Sequence, residues 1–398
     1  MKPKAKADDA FAMYRIFLWT LGVWPLEKHS LFKISRLTIA TIAQATFAVH
    51  TTAELYLNNG EIAAMVDVVL FCSSAYLTLA KMIGLHVYRD KIAENLESYR
   101  NDWADTKDEN SLRIMRDHLK VYRYQFILYN SCGYIGTTMF VVRTIVANLL
   151  AKRQLGVDDD FEYVLACQTS FLSSQIIAYY YIPILAVQFV QLIYCCTSGA
   201  CTDCFFFCLV YHLSAQFKIL KVKWQTLEIG EEPVEDQRAK VIELIKRHKQ
   251  LIKLGENLEA SFNNTVLIQL MTSIILVCVS GCSVLVSLMS SDYITMIVST
   301  NCICFMMTES FIYGYASEYL DTQSQSIIEA AYANKWYQLH NSLKKDLIFV
   351  MMRAEVPLSI TAGKFFYVTR NTIVVLLKTS FSFLSVLRLT LEKSAQQT

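Results

Sequence analysis

VTRNTIVVLLKTSFSFLSVLRL, running from Val368 to Leu389, is the stretch from which the architecture can be read. Its length is that of a helix crossing the hydrocarbon core of a bilayer, about 20 residues. At about 100° per residue, Thr372, Leu376, Thr379, Phe383, Val386 and Thr390 share one narrow face, with Ser382 beside it. That face mixes hydroxyls with apolar side chains and carries no charge. Arg370 and Arg388 fall together on the opposite side. Lys378 sits between the faces, mid-helix, where an unpaired charge is costly. Two readings fit. Such a helix can line a narrow water path, its hydroxyls solvating an ion and Val386 forming a constriction that closes by dewetting. The same pattern suits a last membrane helix that packs on its neighbours through small hydroxyl residues.

The composition supports a membrane setting. Of 398 residues, 54% are hydrophobic and 18% charged, the first above and the second below the soluble norm. The charges are bunched between long apolar runs, the pattern of an all-α polytopic membrane protein. A net charge of +2 without a concentrated basic patch argues against nucleic acid as a partner. The opening MKPKAKADDAFAMYRIF lacks a compact apolar run before a small-residue cleavage site, so no signal peptide is read. All twelve cysteines except Cys167 lie in apolar segments. Cys201 and Cys204 form a C-x2-C pair beside Cys195 and Cys196, but no second pair stands at a metal-binding spacing. They read as buried thiols, with no metal, cofactor or disulfide framework. No metal triad, nucleophile elbow or phosphate loop points to an enzyme.

Taken in order, residues 1–36 form a basic lead-in. Phe17, Leu18, Trp19, Leu21 and Trp24 suit an amphipathic surface helix ending at Pro25. Apolar spans follow over about 37–56, 62–85, 122–150, 181–213, 265–289 and 293–315. A turn at Asn58, Asn59 and Gly60 separates the first two, and a loop with Asp158, Asp159 and Asp160 precedes the fourth. Residues 37–316 thus hold six transmembrane helices and their loops. Residues 317–366 form a polar anchor segment with a short helix at 343–352, broken off by Pro357. Residues 367–398 hold the seventh helix and a tail.

Seven spans place the termini on opposite sides, and Lys and Arg decide which. Residues 1–36 carry seven, the loop after span two carries seven, the loop after span four nine and the loop after span six five. The other side has only Lys152, Arg153, Arg388 and Lys393. The amino terminus and large loops are therefore expected in the cytoplasm and the carboxyl terminus outside. That is the reverse of a G-protein-coupled receptor. The loop from Phe217 to Ser261 reads as two helical arms around Gly230-Glu231-Glu232-Pro233. The second arm buries Val241, Leu244, Ile245, His248, Leu251, Ile252 and Leu258 on one face and extends span five into the cytoplasm. It suits either an assembly platform or a monomeric bundle.

The outer halves of spans two to six offer apolar and aromatic walls with a few hydroxyls. Phe71, Thr138, Val141, Val142, Tyr181, Phe189, Leu192, Val279, Cys282, Ile294 and Ile297 are candidates to contact a small, oily, weakly polar ligand. Ordinary helix packing uses the same residue types. Asp203, His212, Glu309 and Lys378 are polar residues at membrane depth with no partner visible in sequence.

Four motifs in order resemble the insect odorant receptors, a seven-helix family of inverted topology. They are Leu21-Gly22-Val23-Trp24-Pro25, Asp203 to Phe217 (DCFFFCLVYHLSAQF), Ser324 to Trp336 (SQSIIEAAYANKW) and Lys378 to Leu384 (KTSFSFL). A tyrosine-plus-serine pattern common in the last of these is replaced here by Phe381 and Phe383. The resemblance implies an odorant-gated, non-selective cation channel in the plasma membrane of the olfactory neuron dendrite. A small volatile ligand would bind in the outer half of the bundle. The subunit would form a heterotetramer with a shared co-receptor through the cytoplasmic anchor, with the last helices lining a pore among membrane lipid. The compact second cytoplasmic loop resembles that of a tuning subunit. The family's gate position falls on Val386, and Arg388 would stand near the outer mouth, biasing cation passage or snorkelling to the interface. A gustatory-type channel lacks support, because only Gln338 supplies a glutamine between 329 and 395. A secondary transporter lacks it too, because no internal repeat or pair of broken spans is visible.

Overall fold

The computed structural model describes residues 3–57, 62–155, 163–227 and 233–395. The side chains of residues 3–9, 62–64, 154–155, 387 and 389–395 lie outside the description, so the expected place of the Thr390 side chain does too. So do the turn at Asn58 to Gly60, the Asp158–Asp160 loop and Gly230 to Glu232.

Eleven described helices account for nearly all of the fold: α1 (Pro3–Thr20), α2 (Leu31–Leu57), α3 (Ile62–Val87), α4 (Arg89–Asp105), α5 (Glu109–Leu155), α6 (Ser174–Tyr179), α7 (Tyr181–Gln225), α8 (Val234–Ser290), α9 (Tyr293–Ala333), α10 (Asn341–Ala354) and α11 (Arg370–Ala395). A two-stranded antiparallel hairpin, β1 (Thr361–Ala362) with β2 (Phe366–Tyr367), leads into α11. Gly363 at φ 57° and Lys364 at φ 64° make its turn, a left-handed conformation that glycine adopts without a Cβ clash. The protein is an all-α polytopic membrane protein. Among the described residues, α3, α5, α7, α8 and α9 are long and apolar enough to cross a membrane. The helices α2 and α11 have the length, 27 and 26 residues, but more polar side chains.

The centre of the bundle is α7, which packs on α3, α5, α8 and α9. From Ala200 to Phe217 every residue is buried. A helix apolar on all sides must be enclosed on all sides. At 1.5 Å per residue, the 45 residues of α7 and 57 of α8 reach roughly 68 and 85 Å, more than twice the hydrocarbon thickness of about 30 Å. Their surplus lengths form a second bundle with α4, α10 and the end of α9. The predicted face of the second arm is realised there: Val241, Leu244, His248, Leu251 and Leu258 are buried, within one unbroken α8.

One expectation fails. The apolar face of the lead-in is covered by protein rather than left for a membrane surface. Phe11, Tyr14, Leu18, Leu21 and Trp24 are buried against α4 and α7, and only Trp19 of the expected set is exposed. Tyr14 donates from its hydroxyl to the Tyr122 carbonyl at 3.1 Å and meets Phe126 edge-on at 4.9 Å. The aromatic face reads as a membrane-surface face in isolation, but a protein groove of matching shape takes it.

Candidate functional site

Five helices each turn one stripe toward a common cavity of about 160 Å³. On α3 the stripe is Leu70, Phe71, Ser74, Leu77, Thr78 and Lys81, each three or four residues from another member, as one helix face requires. The α5 stripe includes Tyr129, Gly133, Gly136 and Thr137, and α7 contributes Leu192, Cys195, Cys196, Gly199 and Asp203. Gln269 and Leu276 come from α8, and Val298, Asn301, Phe305 and Glu309 from α9. A Cβ at Gly136 would sit 2.9 Å from the Asn301 Oδ1, so glycine there permits the close approach of α5 to α9.

The two ends of the cavity differ. At one end Phe47, Phe71, Val141, Leu192 and Leu276 form an apolar cluster with Ala166 and Cys167. The segment carrying those last two is pinned across the helices. Gln188 donates to the Cys167 carbonyl at 2.7 Å, Asn148 to the Val164 carbonyl at 2.8 Å, and Ser170 from its backbone to Glu54 at 2.7 Å. Arg143 and Asp67 pair beneath it at 2.5 Å.

Ten residues further along α3, about 15 Å by helix rise, the other end is charged. Lys81 Nζ lies 2.6 Å from Asp203 Oδ2 and 3.7 Å from Glu309 Oε1, with all three side chains at most 2% exposed. Tyr313 donates to Asp203 Oδ1 at 2.7 Å and Tyr129 to Oδ2 at 3.4 Å. Burying charges is tolerable when they are paired and their remaining lone pairs are hydrogen-bonded. Asp203 meets both conditions. Glu309 does not, because its Oε2 has no hydrogen-bond partner. This group was missed in the sequence because Lys81 lies in an otherwise apolar run. The signal was present: one in-membrane lysine against two in-membrane acids calls for a common meeting point.

Of the residues expected to contact ligand, Phe71 and Leu192 line the cavity. Val141 is buried beside Phe71 and Leu192, and Phe189 and Val279 pack against that cluster. Cys282 is buried on α8, and Tyr181 accepts a hydrogen bond from Asn148 at 2.8 Å. Thr138, Val142, Ile294 and Ile297 point to the exterior of the single chain. His212 belongs to the second bundle, 3.2 Å from Asp102, which also pairs with Arg247 at 2.6 Å. Among the described residues, no group of His, Cys, Asp and Glu is placed to hold a metal ion.

The last helix is seated on α8 and α9 through its opposite face. Ile373, Leu377 and Ser380 are buried, whereas Thr379, Ser382, Phe383, Val386 and Arg388 are exposed on the single chain. Thr369 caps its start, its hydroxyl accepting from the Thr372 backbone at 3.2 Å. The Thr372 hydroxyl donates to the Tyr367 carbonyl at 3.0 Å. Lys378 is exposed, so it stands outside the buried ion group. Arg370 holds Glu318 of α9 through two bonds of 2.9 and 2.6 Å, and that guanidinium keeps the Glu318 carboxyl below its usual pKa.

Residues 61–381 match the family described as 7tm Odorant receptor. Odorant receptor 24a of Drosophila melanogaster is 23% identical over 366 residues, 88% of each chain. Odorant receptor 10 of Aedes albopictus is 26% identical over 177 residues, 44% of this chain and 46% of that relative, so the alignment spans less than half of either. The insect olfactory receptor OR5 of Machilis hrabei, solved in complex with eugenol, superposes with a TM-score of 0.79 at 14% identity. That match covers 98% of this chain and 99% of the other. At such identity the likeness carries the fold.

Proposed function

Because the chain belongs to the 7tm odorant receptor family, we propose that it is a tuning subunit of an odorant-gated, non-selective cation channel. A small volatile ligand enters the cavity among α3, α5, α7, α8 and α9. Its binding favours one arrangement of those helices over another, and α11, which rests on α8 and α9, moves with them. The observation that carries this reading is the cavity among these helices, apolar over most of its wall and bordered by both helices that hold α11. An engineered apolar cavity of about 150 Å³ holds benzene, so 160 Å³ suits a ligand of about one ring. The eugenol complex of the related olfactory receptor agrees with a ligand of that kind.

In this reading the chain spans the plasma membrane of a sensory dendrite seven times, with α2 and α11 as first and last spans. The second bundle lies in the cytoplasm and joins a shared co-receptor in a heterotetramer. The exposed stripe of Thr379, Ser382, Phe383 and Val386 faces the common axis, and Val386 is the gate. Current recorded from cells expressing this chain with the co-receptor tests the reading. A dose-dependent, ligand-evoked cation current supports it. Saturable solute flux without single-channel steps would replace it with transport.

A further inference from the structure

Two residues that line the cavity each hold a buried oxygen without a hydrogen-bond partner. These oxygens are Glu309 Oε2 and Gln269 Oε1. Both side chains are 1% exposed, so neither oxygen is satisfied by bulk water. Gln269 uses its amide nitrogen on Ser273 at 3.1 Å, which leaves its oxygen as an acceptor only. Glu309 shares one lysine with Asp203, and the lysine stands closer to Asp203 by about 1 Å. Tyr313 and Tyr129 also donate to Asp203. Asp203 therefore takes the larger share of the local donors; Tyr129 also bears on Glu309, whose Oε2 keeps no partner. A buried acceptor without a donor is costly, and anything entering the cavity with a donor recovers that cost.

We propose that this cavity selects ligands with a hydrogen-bond-donating head, an alcohol or an amine, on an apolar body of about one ring, the head donating to Glu309 Oε2. The inference rests on the cavity being the ligand site, and it goes further by naming the head group and its partner. The body lies toward Phe71 and Leu192 and the head toward the ion group, because among the described lining residues the buried unpartnered oxygens belong to Gln269 and Glu309. An ether or a hydrocarbon of the same size fills the space and leaves both oxygens unpaired, and a site built for a donor rejects such analogues for that reason.

The test uses two matched sets: benzyl alcohol, benzylamine, anisole and ethylbenzene, then 1-hexanol, hexylamine, methyl pentyl ether and heptane. Two readouts are taken on the full-length chain, ligand-evoked current with the co-receptor and the shift in thermal unfolding of the purified receptor. In the native chain the alcohol or the amine acts at a concentration at least about tenfold lower than its ether and hydrocarbon counterparts, the factor expected when a buried acceptor gains its donor. Glu309→Leu leaves Lys81 and Asp203 as a balanced pair, and in it the difference falls to within about threefold. Glu309→Gln keeps an acceptor oxygen, so it retains the preference. Equal action of alcohol and ether on the native chain overturns the proposal, as does an undiminished preference in Glu309→Leu or the absence of stabilisation by every alcohol and amine. An ordered water already serving both oxygens would give the first of these results. Stabilisation without current would instead count against the channel reading and leave the donor preference standing.

Discussion

Lys81 on α3 and Asp203 on α7 are joined across the core at 2.6 Å, each 1% exposed. The pair ties the helix that borders the cavity to the helix at the centre of the bundle. Lys81→Met leaves two buried carboxyl groups without a counter-charge, and breaking a buried pair from one side costs about 3–5 kcal/mol. The expected outcome is a large loss of surface expression and of thermal stability. Adding Asp203→Asn recovers part of both. An unaltered unfolding midpoint in Lys81→Met would show that the ion group does not brace the bundle.

Gly314 on α9 meets the start of α11 so closely that a Cβ would lie 2.9 Å from Ile373 Cγ1 and 3.2 Å from the Thr369 carbonyl oxygen. Side chains can move aside at such a contact, but backbone cannot without shifting the helix. Gly314→Ala is expected to lower stability by about 1–3 kcal/mol, the usual cost of overpacking. Ile373→Ala in the same chain relieves only the side-chain share. Thermal unfolding of the native chain and the two variants measures both effects.

Val386 is 60% exposed on the single chain, which leaves it available to a common axis. On the proposed reading of Val386 as the gate, Val386→Ala widens a dewetting constriction. Resting current rises, and the rank order of ligands stays the same because the cavity is untouched. A changed rank order with unchanged resting current would remove Val386 from the gate.

His248 lies on the buried face of α8 and touches the Phe217 ring edge-on at 6.2 Å. Burial, with Arg353 nearby, lowers its pKa to about 4. Burial likewise lowers that of His118, the first of its causes, in the same bundle. Each is depressed in the folded state, so the unfolded chain binds more protons as the pH falls through the unfolded value near 6.5. The stabilisation is thus complete above about pH 6.5 and is lost progressively toward pH 4. His248 alone accounts for roughly 2 kcal/mol by pH 5. His248→Phe, which cannot titrate, is expected to flatten the fall of the unfolding midpoint between pH 7 and pH 5.

The long helices α3, α5, α7, α8 and α9 were legible because each is announced by a run of apolar residues bounded by charge, and such runs need no partner to be recognised. The buried face of the second arm, Val241 to Leu258, was legible for a related reason: a period of 3.6 records which side a helix hides. The same rule placed the last helix without saying what its hydroxyl stripe would meet. The lead-in misled, because Leu18, Leu21 and Trp24 look alike whether lipid or protein covers them.

The ion group depends on distances that no linear pattern carries. Lys81, Asp203 and Glu309 come from helices separated by more than a hundred residues at each step, and none announces the others. Their pairing follows only once α3, α7 and α9 are packed and a shared dry interior forces opposite charges together. Chain order therefore set the class of the molecule through burial of apolar length, a local and additive quantity. Where the cavity lies, which of its oxygens lack a donor and how α11 rests on Gly281 and Gly314 came from packing, because those are relations between surfaces that meet only after folding.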